Sequence, residues 1–200
     1  MVEPGKGAVP SAERPPKATR IARLLVAEPS ESIVHAQGWV RTRRDSKGFS
    51  FLELNDGSSL ENLQVVVDHA AEGDGAGGAG DVVREVTTGS SLRVSGVLAA
   101  SPGKGQSVEL QAQALTLVQR AEEDYPLQKK RHGFEYLRTI GHLRVRTNTF
   151  GAVARVRNAA FFAIHRFFQE RDYLFLPAPL ITASDAEGAG ELFQVTTLDP

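Results

Sequence analysis

Two periods of apolar residues divide this chain. Across residues 33–118 hydrophobic and polar residues alternate in short runs, whereas over 149–170 the apolar positions Val153, Val156, Ala160, Ile164 and Phe167 recur every three or four residues. The first spacing is that of half-buried strands and the second that of an amphipathic helix. Five strands are predicted, over 33–44, 48–55, 60–68, 91–100 and 107–118, with a short helix over 21–26 and one or two helical turns over 81–87. Five short strands with a helix before the fourth describe an all-β OB-fold barrel. The long helix and a predicted strand over 173–181 then begin a second, α+β segment.

Punctuation sets the boundaries. Residues 1–19, with Pro10, Pro15, Pro16 and no apolar period, are expected to be a disordered tail, and the barrel to occupy 20–119. Residues 71–80 are a Gly-rich insertion, and 101–107 are a hairpin turn that lacks the glycine and hydroxyl positions of a phosphate loop. A linker over 120–147 carries Pro126 and the run Lys129, Lys130, Arg131, His132, and the second segment fills 148–200. Pro179 places the strand over 173–181 at a sheet edge, because proline donates no ladder hydrogen bond. A long amphipathic helix beside an edge strand suits an oligomer interface.

Strand parity assigns faces. Leu52, Leu54, Leu63, Val65 and Val67 point to one side, which leaves Phe49, Phe51, Gln64 and Val66 on the other. An outward aromatic on strands 2 and 3 of an OB-fold stacks a base, and a carboxamide both donates to and accepts from a base edge. Arg41, Arg43 and Arg44 on the preceding strand are candidates for phosphate contacts. Taken singly, Phe49 and Phe51 fit equally well beneath a loop; two aromatics, an amide and three arginines on adjacent strands point together to single-stranded nucleic acid. Parity puts Trp39 opposite Ala36 and Val40, unless Gly38 introduces a bulge that resets its face.

Composition adds limits. With 41% hydrophobic and 24% charged residues the chain is globular, and with no cysteine it has neither disulfides nor thiolate metal sites, which fits a cytoplasmic setting. No apolar stretch is long enough to span a membrane, and the five histidines show no i, i+4 pairing, so no metal site is expected. The net charge of −1 hides a basic region, since 120–171 holds eleven Lys or Arg against five acids. Such a region steers a polyanion. Finally, Glu187 and Glu191 flank Gly188, Ala189 and Gly190 in a loop where small residues permit close approach of a ligand or movement as a lid, and a carboxylate there suits a substrate ammonium.

Four runs carry a family resemblance: Gly38-Trp39-Val40 with Arg43-Arg44-Asp45; 125–132, Tyr-Pro-Leu-Gln-Lys-Lys-Arg-His; 146–152, Arg-Thr-Asn-Thr-Phe-Gly-Ala; and 184–191, Ser-Asp-Ala-Glu-Gly-Ala-Gly-Glu. Together they resemble the bacterial asparaginyl-tRNA synthetases, class II enzymes of the subgroup that includes the aspartyl and lysyl synthetases. The resemblance implies that the barrel grips the anticodon of tRNA(Asn), with Phe51 stacking a base, Gln64 reading the central uridine and Arg44 helping to hold the loop. It implies that the long helix and the strand ending at Pro179 are the class II dimerisation motif, so that the partner is a second copy. It also implies that Glu187 engages the ammonium group of L-asparagine. The family reaction uses ATP and Mg2+ to form an adenylate before transfer to tRNA. The motifs that hold ATP fall beyond residue 200, so no catalytic residue is expected within this chain and the 200 residues alone are expected to be inactive. Two other readings stay open: a non-catalytic RNA-binding module, and a relaxed aspartyl-tRNA synthetase.

Overall fold

The structure, a computed structural model, describes residues 15–70, 78–103 and 105–181. The chain divides into two units, the first reaching Arg155 and the second starting at Val156, within the long helix.

The first unit is built on five strands, β1 (Ser30–Ser46), β2 (Phe49–Asn55), β3 (Leu63–Asp68), β4 (Ser91–Ala100) and β5 (Val108–Gln119). They close in the order β1-β2-β3-β5-β4, with every pairing antiparallel except β3 with β5. This is the five-stranded OB-fold that alternation and strand count predict. The inward residues Leu52, Leu54, Leu63, Val65 and Val67 are all fully buried, as parity requires.

Strand β1 is long enough to pair with β4 through its first half and with β2 through its second, so it must bend between them. The bend is a bulge at Arg41, where the register slips between Val40 and Thr42. Gly38 serves close approach rather than bending, since a Cβ there would lie 2.5 Å from the Asn55 carbonyl oxygen and hold β1 and β2 apart. The slip keeps Val40 inward opposite Leu54, turns Arg43 inward opposite Leu52, and sends Arg44 outward opposite Phe51.

Two helices stop the barrel ends. In α1 (Ile21–Leu24) both terminal residues are buried, and its first amides are satisfied from the β2–β3 loop, Ile21 donating to Asp56 Oδ2 at 3.0 Å and Ala22 to Ser58 Oγ at 2.9 Å. Burial of Asp56 raises its pKa, but the hydrogen bonds from Ser58 and from the Ile21 amide outweigh this and hold it below the ordinary carboxylate value. At the other end α2 (Ala79–Glu85) buries Ala79 and Val83. Its terminal carbonyls accept from Arg43, whose Nη1 lies 2.6 Å from Val83 O and 2.8 Å from Val86 O.

Residues 120–147 hold more regular structure than alternation predicts. Helix α3 (Phe134–Thr139) buries Leu137, and a 3-10 turn, Arg144–Arg146, leads into α4 (Asn148–Gln169). The first turn of α4 stays with the first unit, where Gly151 packs against Leu60 and Arg155 Nη2 donates to Gly57 O at 2.6 Å.

The second unit comprises the rest of α4 and the residues after it. The helix ends where Asp172 takes a left-handed conformation (φ 60°), with its amide bonded to Gln169 O and that of Tyr173 to Phe168 O. Apolar side chains are exposed both on the helix, at Phe161 and Phe162, and after its end, at Leu174, Leu176 and Ile181. The strand predicted over 173–181 does not form: these residues pair with no strand among the described residues, and Pro177 and Pro179 have no amide to donate. Pro179 is exposed at the end of this stretch.

Candidate nucleic-acid interface

The outer surface of β1, β2 and β3 gathers the residues that parity turned away from the core. Phe51 is half-buried and Phe49 exposed. Across the β1–β2 ladder Arg44 sits opposite Phe51, its guanidinium carbon 5.0 Å from the ring centroid, a cation–π distance. The arginine therefore accompanies the ring on a surface to which a nucleotide would bring both a base and a phosphate.

Gln64 is diagonal to Phe51, since Phe51 pairs with Val66 and Glu53 with Gln64. Diagonal neighbours stand about 7–8 Å apart, close enough for one base to touch both. The carboxamide of Gln64 is not free to turn. Its Nε2 donates to Glu109 Oε2 at 3.1 Å, and that same oxygen accepts from Ser101 Oγ at 3.2 Å. Glu109 is only 7% exposed on β5, brought beside Gln64 by the parallel β3–β5 closure. A carboxylate can only accept, so the amide presents nitrogen to it and Oε1 takes no part in that bond. Strand alternation gives no hint of this, because the two residues are 45 positions apart in sequence; the one local signal is an acid between the buried Val108 and Leu110.

The three arginines separate. Arg44 is exposed on the face, and Arg41 enters a neighbouring cleft. Arg43 is spent within the fold, capping α2 and donating from Nε to Asp45 Oδ1 at 2.9 Å. That bond, with another from Ser50, holds the Asp45 pKa below its ordinary value. The sequence expectation of a phosphate contact by Arg43 is thus corrected, for the bulge at Arg41 turns it inward. Trp39 lies on the outer side, where the Arg146 guanidinium rests 4.2 Å from its ring centroid.

Glu187, with the loop of residues 182–193, lies outside the described residues. Among the described residues no group of three or more His, Asp or Glu is placed to hold a metal ion, and no helix is long and apolar enough to cross a membrane.

A closed five-stranded barrel with this strand order is an OB-fold, and residues 34–118 match the family model described as the OB-fold nucleic acid binding domain, tRNA anti-codon. Over 90% of its length the chain is similar in sequence to curated asparagine–tRNA ligases. It is 59% identical over 182 residues to that of Nostoc sp. and 58% identical over 182 residues to that of Synechocystis sp., covering 90% of this chain and 38% of each relative. The chain therefore spans well under half the length of these curated relatives. The asparaginyl-tRNA synthetase of Pyrococcus horikoshii, solved with asparaginyl-adenylate, superimposes with a TM-score of 0.66 at 20% identity, covering 80% of this chain and 36% of that one. This likeness is one of fold.

Proposed function

We propose that the chain is the anticodon-binding part of an asparagine–tRNA ligase, and that the outer face of β2 and β3 reads the unpaired anticodon of tRNA(Asn). The observation that carries this reading is the pinned carboxamide of Gln64 beside the Phe51 ring. Uracil presents an N–H between two carbonyl oxygens, and cytosine presents an acceptor nitrogen beside an amino group. An amide free to flip serves both equally well. Held by Glu109, it leaves Oε1 for the uracil N–H, and a flip would turn Oε1 against the carboxylate. Phe51 stacks the base and Arg44 meets its phosphate. Lys129, Lys130 and Arg131 add sequence-independent attraction for the RNA backbone.

The complete protein would activate L-asparagine with ATP and Mg2+ and transfer it to tRNA(Asn); the relatives are named as asparagine–tRNA ligases. Glu187 would then engage the amino-acid ammonium group, and the apolar surface around α4, with Pro179, would face a second copy of the protein. In this reading the described residues of the chain bind and orient the RNA. A cytoplasmic location accords with that role.

Aminoacylation assays on the full-length protein test the reading. Charging of tRNA(Asn) with asparagine, raised KM for tRNA in Phe51→Ala, and unchanged tRNA-independent adenylate formation are expected. Charging with aspartate alone, or a Phe51→Ala protein that charges normally, contradicts it.

A further inference from the structure

Beside the base-reading face lies a cleft of about 670 Å³ between the barrel and the segment over 125–149. Five cationic side chains line it, namely Arg41, Lys129, Lys130, Arg131 and Arg146, against the single acid Glu53, which accepts from Asn62 at 3.2 Å. Two of the five are built into the fold. Arg146 is held over Trp39 and donates from Nη1 to Tyr125 Oη at 3.1 Å. Tyr125 is fixed in turn by packing on Gly89, where φ is +94° and an added Cβ would fall 2.6 Å from the ring. Arg41 leaves the strand at the bulge, and among the described residues its side chain reaches Asn148 alone, with Nη2 3.5 Å from Oδ1.

Among the described residues neither guanidinium has an Asp or Glu oxygen within 4.0 Å. Burial lowers the pKa of Arg41 from its ordinary value, opposed by the nearby Tyr125 and Glu53, with the Arg146 charge the smallest of the lowering effects. Arg41 and Arg146 are both half-buried on this cleft and, among the described residues, neither is paired with a carboxylate, so an anion that joins them offsets the cost of burying the charge. Planar guanidinium forks match the oxygens of a phosphate. The cleft is also continuous with the reading face: from Phe51, opposite Arg44, to Asn55, opposite Trp39, is four residues of β2, or roughly 13 Å.

We propose that Arg41 and Arg146 form a seat for one phosphodiester of the same RNA whose unpaired bases lie on Phe51 and Gln64. The proposal rests on the reading of the β2–β3 face as an RNA site. Its energetic signature is distinct, since a phosphate contact changes the salt dependence of binding and leaves base preference alone.

The test uses this chain with a uridine-containing RNA stem-loop and with orthophosphate. Trp39 is the sole tryptophan and lies under Arg146, so its emission should change on RNA binding with the same Kd that anisotropy gives. Arg41→Gln and Arg146→Gln should each lower the slope of log K against log salt by about 0.7–0.9 and leave the uridine-to-cytidine preference unchanged. Arg41→Lys should restore most of the slope. If loss of Trp39 packing unfolds Arg146→Gln, Arg41→Gln decides alone. An unchanged slope in RNA that is still bound with a uridine preference overturns the seat and spares the reading face. A lowered slope with no base preference, and with Phe51→Ala binding normally, supports the seat and overturns the reading face. A Trp39 response to orthophosphate with an unchanged RNA slope overturns the proposal in favour of a free-anion site, and absence of RNA binding overturns both.

Discussion

Arg44 and Phe51 face one another across the β1–β2 ladder, guanidinium carbon 5.0 Å from ring centroid, on the outside of a barrel whose inside is closed by Leu52 and Leu54. Because Phe51 is outside the sealed core, its loss should cost binding rather than folding. Phe51→Ala is expected to weaken RNA binding by about 1–3 kcal/mol with an unchanged melting temperature. Fluorescence anisotropy and thermal denaturation together check it; a lower melting temperature with unaltered affinity would make the ring a packing residue.

Glu109 acts through Gln64. Replacing it by glutamine keeps the shape of the side chain but gives a group that can donate or accept, so the Gln64 amide regains its freedom to flip. Glu109→Gln is expected to reduce the preference for uridine over cytidine by about tenfold, or 1.4 kcal/mol, by raising the affinity for cytidine-containing RNA with little change in that for uridine-containing RNA. Competition binding with the two RNAs measures it.

The barrel cap depends on Asp56. Its folded-state pKa is lowered, so its contribution is fully present above the unfolded value of about 3.9 and fades as pH falls through the lower folded value. Asp56→Asn is expected to cost about 1 kcal/mol at neutral pH, in the range of a lost helix cap, and the two proteins should converge in stability under acid conditions. Urea melts at neutral and low pH report both effects.

Gly38 is required by distance. A methyl group there would press on the Asn55 carbonyl, and backbone cannot rotate away as a side chain can. Gly38→Ala should destabilise the barrel by about 1–3 kcal/mol through overpacking, read as a lower urea midpoint at unchanged slope.

Alternation made the barrel legible because β2, β3 and β4 each bury one alternating set of residues, and the chain needs no distant information to decide which. The observed β4, Ser91–Ala100, coincides with its predicted span, and Phe51 and Gln64 face outward as parity requires. Arg43 misled for a specific reason. A bulge adds one residue and inverts the parity beyond it, and β1 carries no local mark of a bulge at Arg41, whereas Gly38 looked like one and serves close packing instead. Glu109 was hidden because its partner is reached only through β3–β5 closure. Helix α3 is too short for a helical period to show, and residues 173–181 have strand-like composition without the neighbouring strand that would make them one.

The most direct measurement compares the affinity of this chain for the anticodon stem-loop of tRNA(Asn) with its affinity for the same RNA carrying cytidine at the central anticodon position. Tighter binding of the uridine form by about tenfold or more, equivalent to 1.4 kcal/mol, and abolished in Gln64→Ala, is the expected result. Equal affinity for the two RNAs, or a preference that survives loss of the Gln64 amide, would mean that the face of β2 and β3 does not read the anticodon.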